Sequence, residues 1–314
     1  MSDVPASPAN ASPEAEIEAL VRDLDVLLTA EAAATALVRH GSAAIEPLRR
    51  FLFDGRPSGV FQPRRWAVRA LSALGAREIL LEYLRRDHDV ADREVRLGEE
   101  VVEGEAAQLL AASPDGEIVD ALLTLARRRV IPGLLEALAR LREPRAVPLF
   151  VHALEDDFSR PTAERALTDL DRLARDALVD AAMSKTPSRW DESGMSLRRR
   201  RSALQLLKAT GLDSASWDRL RPTLDDRDVE VRVSASTLAL AAGAPADVPR
   251  AVDVLLAAVP GAPWYLEVDI EDALVSYFTN RTPELVHRLG RFANEAPDPV
   301  ARVLRRVRRR LPSH

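Results

Sequence analysis

A small residue lies eight positions before a helix-ending glycine, with an apolar residue midway between them, at several places along this chain. Ala33, Leu37 and Gly41 form one copy, Ala67, Leu71 and Gly75 a second, Ala203, Leu207 and Gly211 a third, and Ala235, Ala239 and Gly243 a fourth. Weaker copies, at Leu134, Leu138 and Arg142 and at Ala163, Leu167 and Asp171, fill the gap between them. Positions four apart share one face of an α-helix, and glycine is the residue that most readily ends a helix in the left-handed conformation. The period of about 30 to 40 residues is that of helix-pair repeats. A single helix pair cannot cover its own apolar face and must stack on neighbours, so the repeat constrains the architecture before any individual residue is weighed.

Read as pairs, the helices run over 30–53, 63–86, 92–127, 129–155, 159–183, 196–225, 228–259 and 264–294, with a last helix over 297–311. Ser12 before Pro13 reads as an N-cap followed by a proline at the first helical position. Ile17, Leu20, Val21, Leu24, Leu27 and Leu28 then mark one face of a capping helix. The first twelve residues, rich in Pro, Ala, Ser and Asn, read as a disordered tail, and residues 13–314 as a single array. In the last helix Val300, Val303, Leu304, Val307 and Leu311 form the apolar stripe, and Arg302, Arg305, Arg306, Arg308, Arg309 and Arg310 cover the rest.

Hydrophobic residues make up 46% of the chain but aromatics only 4%, so the core must be built from Ala, Leu and Val at close helix spacing. A formal charge of -5 argues against attraction of the whole surface to nucleic acid or anionic membrane and leaves local basic patches open. With no cysteine, disulfides and thiolate chemistry are excluded. Neither a leader-like segment nor an apolar run of membrane-spanning length is visible, and the expectation is a cytoplasmic protein.

The run LRPTLDDRDVEVRVSASTLALAAG, residues 220 to 243, resembles a HEAT repeat of the short bacterial kind first noticed in phycobilin lyases. The segments ending at Gly75 and Gly211 look like diverged copies. The resemblance implies an all-α, right-handed α-solenoid of stacked HEAT-like helix pairs, an armadillo-type superhelix with B helices on the concave side. It also implies structural roles between repeats for Asp226 or Asp228 and for Arg232. Proteins of this kind include scaffolds, bilin-lyase-like chaperones, a di-iron hydroxylase and DNA glycosylases, so the fold alone assigns no activity.

No catalytic motif emerges from the residues. His40, His88, His152, His287 and His314 are isolated, with no partner at ligand spacing, so no metal site and no cofactor is expected. Neither a phosphate-cradling glycine loop nor a nucleophile elbow occurs. Glu99, Glu100, Glu103 and Glu105 read as the solvated face of a helix that buries Val101, Val102, Ala106, Leu109 and Leu110. Arg198, Arg199, Arg200 and Arg201 read as pointing in different directions around one turn to pair with acids of adjacent repeats. Trp66, Trp190, Trp217 and Trp264 are too scattered, and Trp190 and Trp264 too close to acids, for a glycosylase-like lesion site.

Two features stand out. Connections at 54–63, 184–196 and 260–264 are long for helix pairs and carry or adjoin Phe61 and Trp66, Trp190, and Trp264 with Tyr265. The B helices of the first three pairs end in Arg49 and Arg50, Arg85 and Arg86, and Arg127 and Arg128, whereas later ones end in Glu155, Asp156 and Asp157 and in Asp225 and Asp226. Cations suit helix C-termini, but the dipole alone does not explain the change of sign. The expected binding surface is therefore this arginine column, with Arg64, Arg65 and Trp66 beside it. The expected function is non-enzymatic: a scaffold that takes an acidic segment of a partner protein in its groove. Alternatives are a chaperone that holds a small ligand or partner helix, and a nucleic-acid-binding or repair protein.

Overall fold

The computed structural model describes residues 12–54, 60–86, 91–189, 191–242, 245–279 and 294–311. Among these the chain is helical with no strand, apart from one isolated bridge between Pro187 and Glu192. It divides into two compact units, Met1–Leu149 and Phe150–His314.

The first unit contains α1 (Pro13–Asp23), α2 (Ala30–Arg39), α3 (Ile45–Asp54), α4 (Gln62–Ala73), α5 (Arg77–Arg85), α6 (Arg93–Leu110), α7 (Gly116–Arg128) and α8 (Pro132–Leu141). α9 (Val147–Ala153) contains the boundary. The second unit continues with α10 (Arg160–Leu170), α11 (Arg175–Met183), α12 (Gly194–Thr210), α13 (Ser214–Leu220), α14 (Val229–Ala242), α15 (Val248–Ala258), α16 (Trp264–Thr279) and α17 (Asp298–Arg310).

The repeat register is visible in the backbone. Gly41, Gly75 and Gly211 have φ of 61°, 73° and 76°, and among the described residues the two non-glycine residues with positive φ are Arg142 at 49° and Asp171 at 48°. These are the helix-ending positions of five copies. A side chain with a Cβ is strained at positive φ, yet the fold imposes it on Arg142, in the left-handed helical conformation with ψ 43°, and on Asp171, with ψ -119°. The alanine or leucine eight residues earlier and the apolar residue four earlier are buried in every copy, from Ala33 and Leu37 to Ala235 and Ala239. Gly243 lies outside the described residues, as do the tail at 1–11 and Trp190.

Packing follows the same order within each unit. In the first, α2 lies on α4, α4 on α6 and α6 on α8, while α5 lies on α7 and neighbours such as α3 and α4 or α5 and α6 join the two rows. In the second, α10, α12, α14 and α16 form a row, α11 lies on α13, and α17 packs on α16. α6 and α8 approach closely where Gly104 and Gly133 face each other, so that a Cβ added at Gly133 would meet the Gly104 backbone.

Both units open alike. Ser12 caps α1 by accepting from the Ala15 N–H, and the helix stops at Asp23, short of the expected stripe. Residues 24–29 and 154–159 then make the same turn, in which Leu24 and Leu154 are buried and Leu28 and Phe158 are exposed. Leu27 and Leu28 thus leave the capping face, because a turn of this shape directs consecutive side chains outward.

Candidate functional site

The three helices that carry the arginine doublets each bury one apolar stripe: Leu48 and Leu52 on α3, Leu80, Leu81 and Leu84 on α5, Ile118, Leu122 and Leu125 on α7. Arg85 ends α5 with Arg86 just beyond it, and Arg127 and Arg128 end α7, whereas Arg49 and Arg50 lie mid-helix in α3. The expectation that α3 ends in this doublet is corrected, because burial of Leu52 carries the helix on to Asp54. Arg49 reaches across to α5 and donates to Glu82, with Nη2 2.9 Å from Oε1 and Nε 3.4 Å from Oε2. One repeat further on, Arg85 donates to Glu117 at 2.7 Å. The glutamate raises the Arg49 pKa through its hydrogen bond and then its charge, which keeps the guanidinium cationic. Neighbouring acids thus relieve the stacked charges, and an external counter-charge is not needed for Arg49 or Arg85.

The second member of each doublet differs. Arg50, Arg127 and Arg128 are exposed and have no carboxylate partner among the described residues, and Arg86 donates only to the Phe53 carbonyl, at 3.3 Å. The Arg49 and Arg86 guanidiniums lie 5.0 and 5.5 Å from the centre of the Phe53 ring, which meets Tyr83 edge to face at 5.7 Å. A depression of about 590 Å³ is lined by Arg49, Phe53, Asp54, Glu82, Arg85 and Arg86. A neighbouring one of about 440 Å³ contains Arg85, Glu117, Asp120, Thr124 and Arg128. Arg85 borders both.

Arg64, Arg65 and Trp66 do not join this surface. Arg64 is only 5% exposed and pairs with Glu99, which also accepts from the Tyr83 hydroxyl. Its guanidinium is enclosed between helices, so the expectation that it meets a partner is corrected. Arg65 and Arg69 both hold Glu105 of α6, with Arg69 stacked 4.8 Å from the Trp66 ring. Burial pushes Glu105 up, but Arg69 and Arg65 outweigh it and hold its carboxyl below the ordinary value.

Glu99 and Glu103 are buried, not solvated. They share the face of α6 that carries Val102, Ala106 and Leu110, and they bring their own cations, Arg64 from α4 and Arg129 from the segment after α7. Burial raises Glu103 to about 7, more than the nearby Arg129 lowers it. The signal in the sequence was the spacing of 99, 103, 106 and 110, which puts both acids in phase with the apolar stripe. Val101, expected inside, is exposed.

Arg198, Arg199, Arg200 and Arg201 do point apart. Arg198 donates to the Glu155 carbonyl, Arg199 pairs with Glu155, and Arg201 holds Asp228 and Glu230. Arg200, buried, donates to the Ala182 carbonyl at 2.8 Å, to Glu192 at 2.6 Å and to Asp226 at 2.5 Å. Burial pushes Asp226 up, but Arg200 and Lys185 overcome this and bring it to about 2. Asp226 and Asp228 therefore tie α12 to the turn before α14, while Arg232 stays within that turn, donating to the Asp226 and Arg227 carbonyls. The acids at 155–157 and 225–226 are held likewise: Asp156 accepts from the Ser159 N–H and Asp225 pairs with Arg250. Trp217 is buried and donates to Asp247 at 2.8 Å, whereas Trp264 is exposed and meets Tyr265 edge to face.

Among the described residues, no group of three or more His, Asp or Glu side chains could hold a metal ion, and no helix is long and apolar enough to cross a membrane. No family model matches the chain. No curated protein matches it. Among solved structures it aligns with an engineered protein determined by the Northeast Structural Genomics Consortium, at 18% identity over 94% of this chain and 96% of the other, with a TM-score of 0.22. A superposition that loose defines no shared fold.

Proposed function

We propose that each unit is a right-handed HEAT-like α-solenoid and that the protein is a non-enzymatic cytoplasmic scaffold, whose first unit takes an acidic segment of a partner protein. The solenoid reading is supported by the recurrent positive φ at the helix endings and by rows in which helices contact the next but one as well as the next.

The observation that carries the binding reading is the division of labour within the doublets. Arg49 and Arg85 are held by glutamates about one repeat away, while Arg50, Arg86, Arg127 and Arg128 keep donors without a carboxylate among the described residues. Exposed ion pairs are worth about 0 to 1 kcal/mol each, so charge alone gives a weak complex. The Phe53 ring beside the larger depression adds apolar surface, and an acidic segment that also carries an aliphatic or aromatic side chain fits both.

The test uses a fluorescent glutamate-rich peptide with one leucine or phenylalanine, titrated by anisotropy against the wild type and against Arg50→Glu with Arg86→Glu. Binding that weakens as salt rises, and falls by about tenfold or more in the variant while the helical circular dichroism is kept, supports the reading; tenfold is about 1.4 kcal/mol. Equal binding by both proteins refutes it.

A further inference from the structure

The protein carries a net charge of -5, yet α17 concentrates cations on one side. Val300, Ala301, Val303, Leu304 and Val307 are buried and the helix packs on α16. Two arginines fasten it there: Arg306 pairs with Glu267 and Glu271, each at 2.6 Å, and Arg310 with Asp272 at 2.7 Å. Arg302, Arg305, Arg308 and Arg309 are exposed and have no ion-pair partner among the described residues. With about 100° of rotation per residue, these four occupy an arc of about 120°. Both docking arginines lie beyond one edge of it, and the small, buried Ala301 falls within it. Along the axis, at about 1.5 Å per residue, they extend over roughly 10 Å.

From this we infer that the outer face of α17 binds the phosphate backbone of duplex nucleic acid without reading its sequence. The arc is convex, with no apolar anchor among its four residues, so its attraction is that of charge alone. Individual carboxylates of a flexible peptide gain little from such contacts. A duplex differs because it carries about one charge per 1.7 Å of its axis and a condensed counterion layer, so each neutralised phosphate releases an ion. An anionic lipid surface is disfavoured because the apolar stripe, which in an interfacial helix enters the bilayer, is occupied by α16. The absence of an aromatic side chain from the arc removes the stacking platform that single strands use. These four residues belong to the second unit, and the arginine doublets to the first.

The experiment measures anisotropy of a labelled DNA duplex of about 20 bp between roughly 50 and 200 mM salt. It compares the wild type with a variant in which Arg302, Arg305, Arg308 and Arg309 are all alanine, leaving the buried stripe and the docking pairs in place. Four phosphate contacts give a slope of about -3.6 in log K against log salt, a loss of about a hundredfold across that range. The variant is expected to lose that slope and at least about tenfold in affinity at the low-salt end, while Arg50→Glu with Arg86→Glu, paired with alanine at neither position of α17, retains most of the slope. Equal binding by wild type and the α17 variant overturns the inference. So does a preference for vesicles containing phosphatidylserine, or for polyglutamate, over the duplex.

Discussion

Replacing Gly133 by alanine tests the close backbone approach of α8 to α6 in the first unit. The new Cβ would stand 2.4 Å from the Gly104 Cα, 2.8 Å from its carbonyl carbon and 3.0 Å from its oxygen. Carbon atoms rest at about 3.5 to 4.0 Å, so α8 has to withdraw from α6 by about 1 Å, and all the obstructing atoms are backbone. The withdrawal loosens the packing of Leu134, Leu135 and Leu138, which are buried. Overpacking of this kind costs about 1 to 3 kcal/mol, and the helical preference of alanine over glycine returns about 0.5 to 1 kcal/mol. The expected net loss is about 1 to 2 kcal/mol.

The reciprocal change is the control. A Cβ at Gly104 meets the Gly133 Cα at 3.1 Å, a shortfall of a few tenths of an ångström, and Gly104 lies well inside α6 where alanine gains most. Gly104→Ala should therefore be at least about 1 kcal/mol more stable than Gly133→Ala, although both add one methyl to the same contact. Urea unfolding followed at 222 nm, with unchanged slope, reads the difference. If Gly133→Ala is no less stable than Gly104→Ala, the two glycines are not in backbone contact and the α6–α8 crossing is misjudged.

Three further outcomes follow from buried groups. Glu103 is raised by burial to about 7, so the native state keeps a proton that the unfolded chain releases near 4.5. Its stabilising contribution is complete below about pH 4.5 and is lost as pH rises towards 7, by at most about 3 kcal/mol. Glu103→Gln should reduce the decline in stability between pH 5 and pH 8, and an identical decline in both proteins contradicts this. Arg200→Ala leaves Asp226 and Glu192 without their shared cation and should cost about 3 to 5 kcal/mol at neutral pH. Because Asp226 is held at about 2 in the native protein, its own contribution is present above the ordinary aspartate value and fades as pH falls from there towards 2, so the gap to the variant should narrow on acidification; a loss below about 1 kcal/mol refutes the role. Leu238→Ala, at a position 1% exposed, should lose about 2 to 5 kcal/mol in thermal or urea unfolding, and a loss below about 1 kcal/mol places that side chain outside the core.

The succession of helices and the endings at the repeat positions are legible because they depend on local rules, whereas the ends of α1 at Asp23 and of α3 at Asp54 are not. Ser12 before Pro13 sets the start of α1 through a hydrogen bond three residues long, and the spacing of Ala203, Leu207 and Gly211 records one face and one reversal of the same helix. Even Arg142 and Asp171, without glycine's freedom, could be placed from the buried residues four and eight positions before them. The face of α6 departs from expectation for a different reason. Charge suggests exposure, although Glu99 and Glu103 keep the period of the core.

What the sequence determined by itself is therefore the succession of helices, their inward stripes and the points where each must turn, all set by contacts within a few residues. Only the tertiary structure decided which charges are buried, which are spent on neighbours and which remain available. Arg64 meets Glu99 across 35 positions, Arg49 meets Glu82 across 33 and Arg85 meets Glu117 across 32. An arginine has the same helical preference whether its guanidinium ends in a core, on a glutamate or in water, so nothing local distinguishes Arg49 from Arg50. The difference arises when stacking brings one of them, and not the other, within reach of an acid on the next helix.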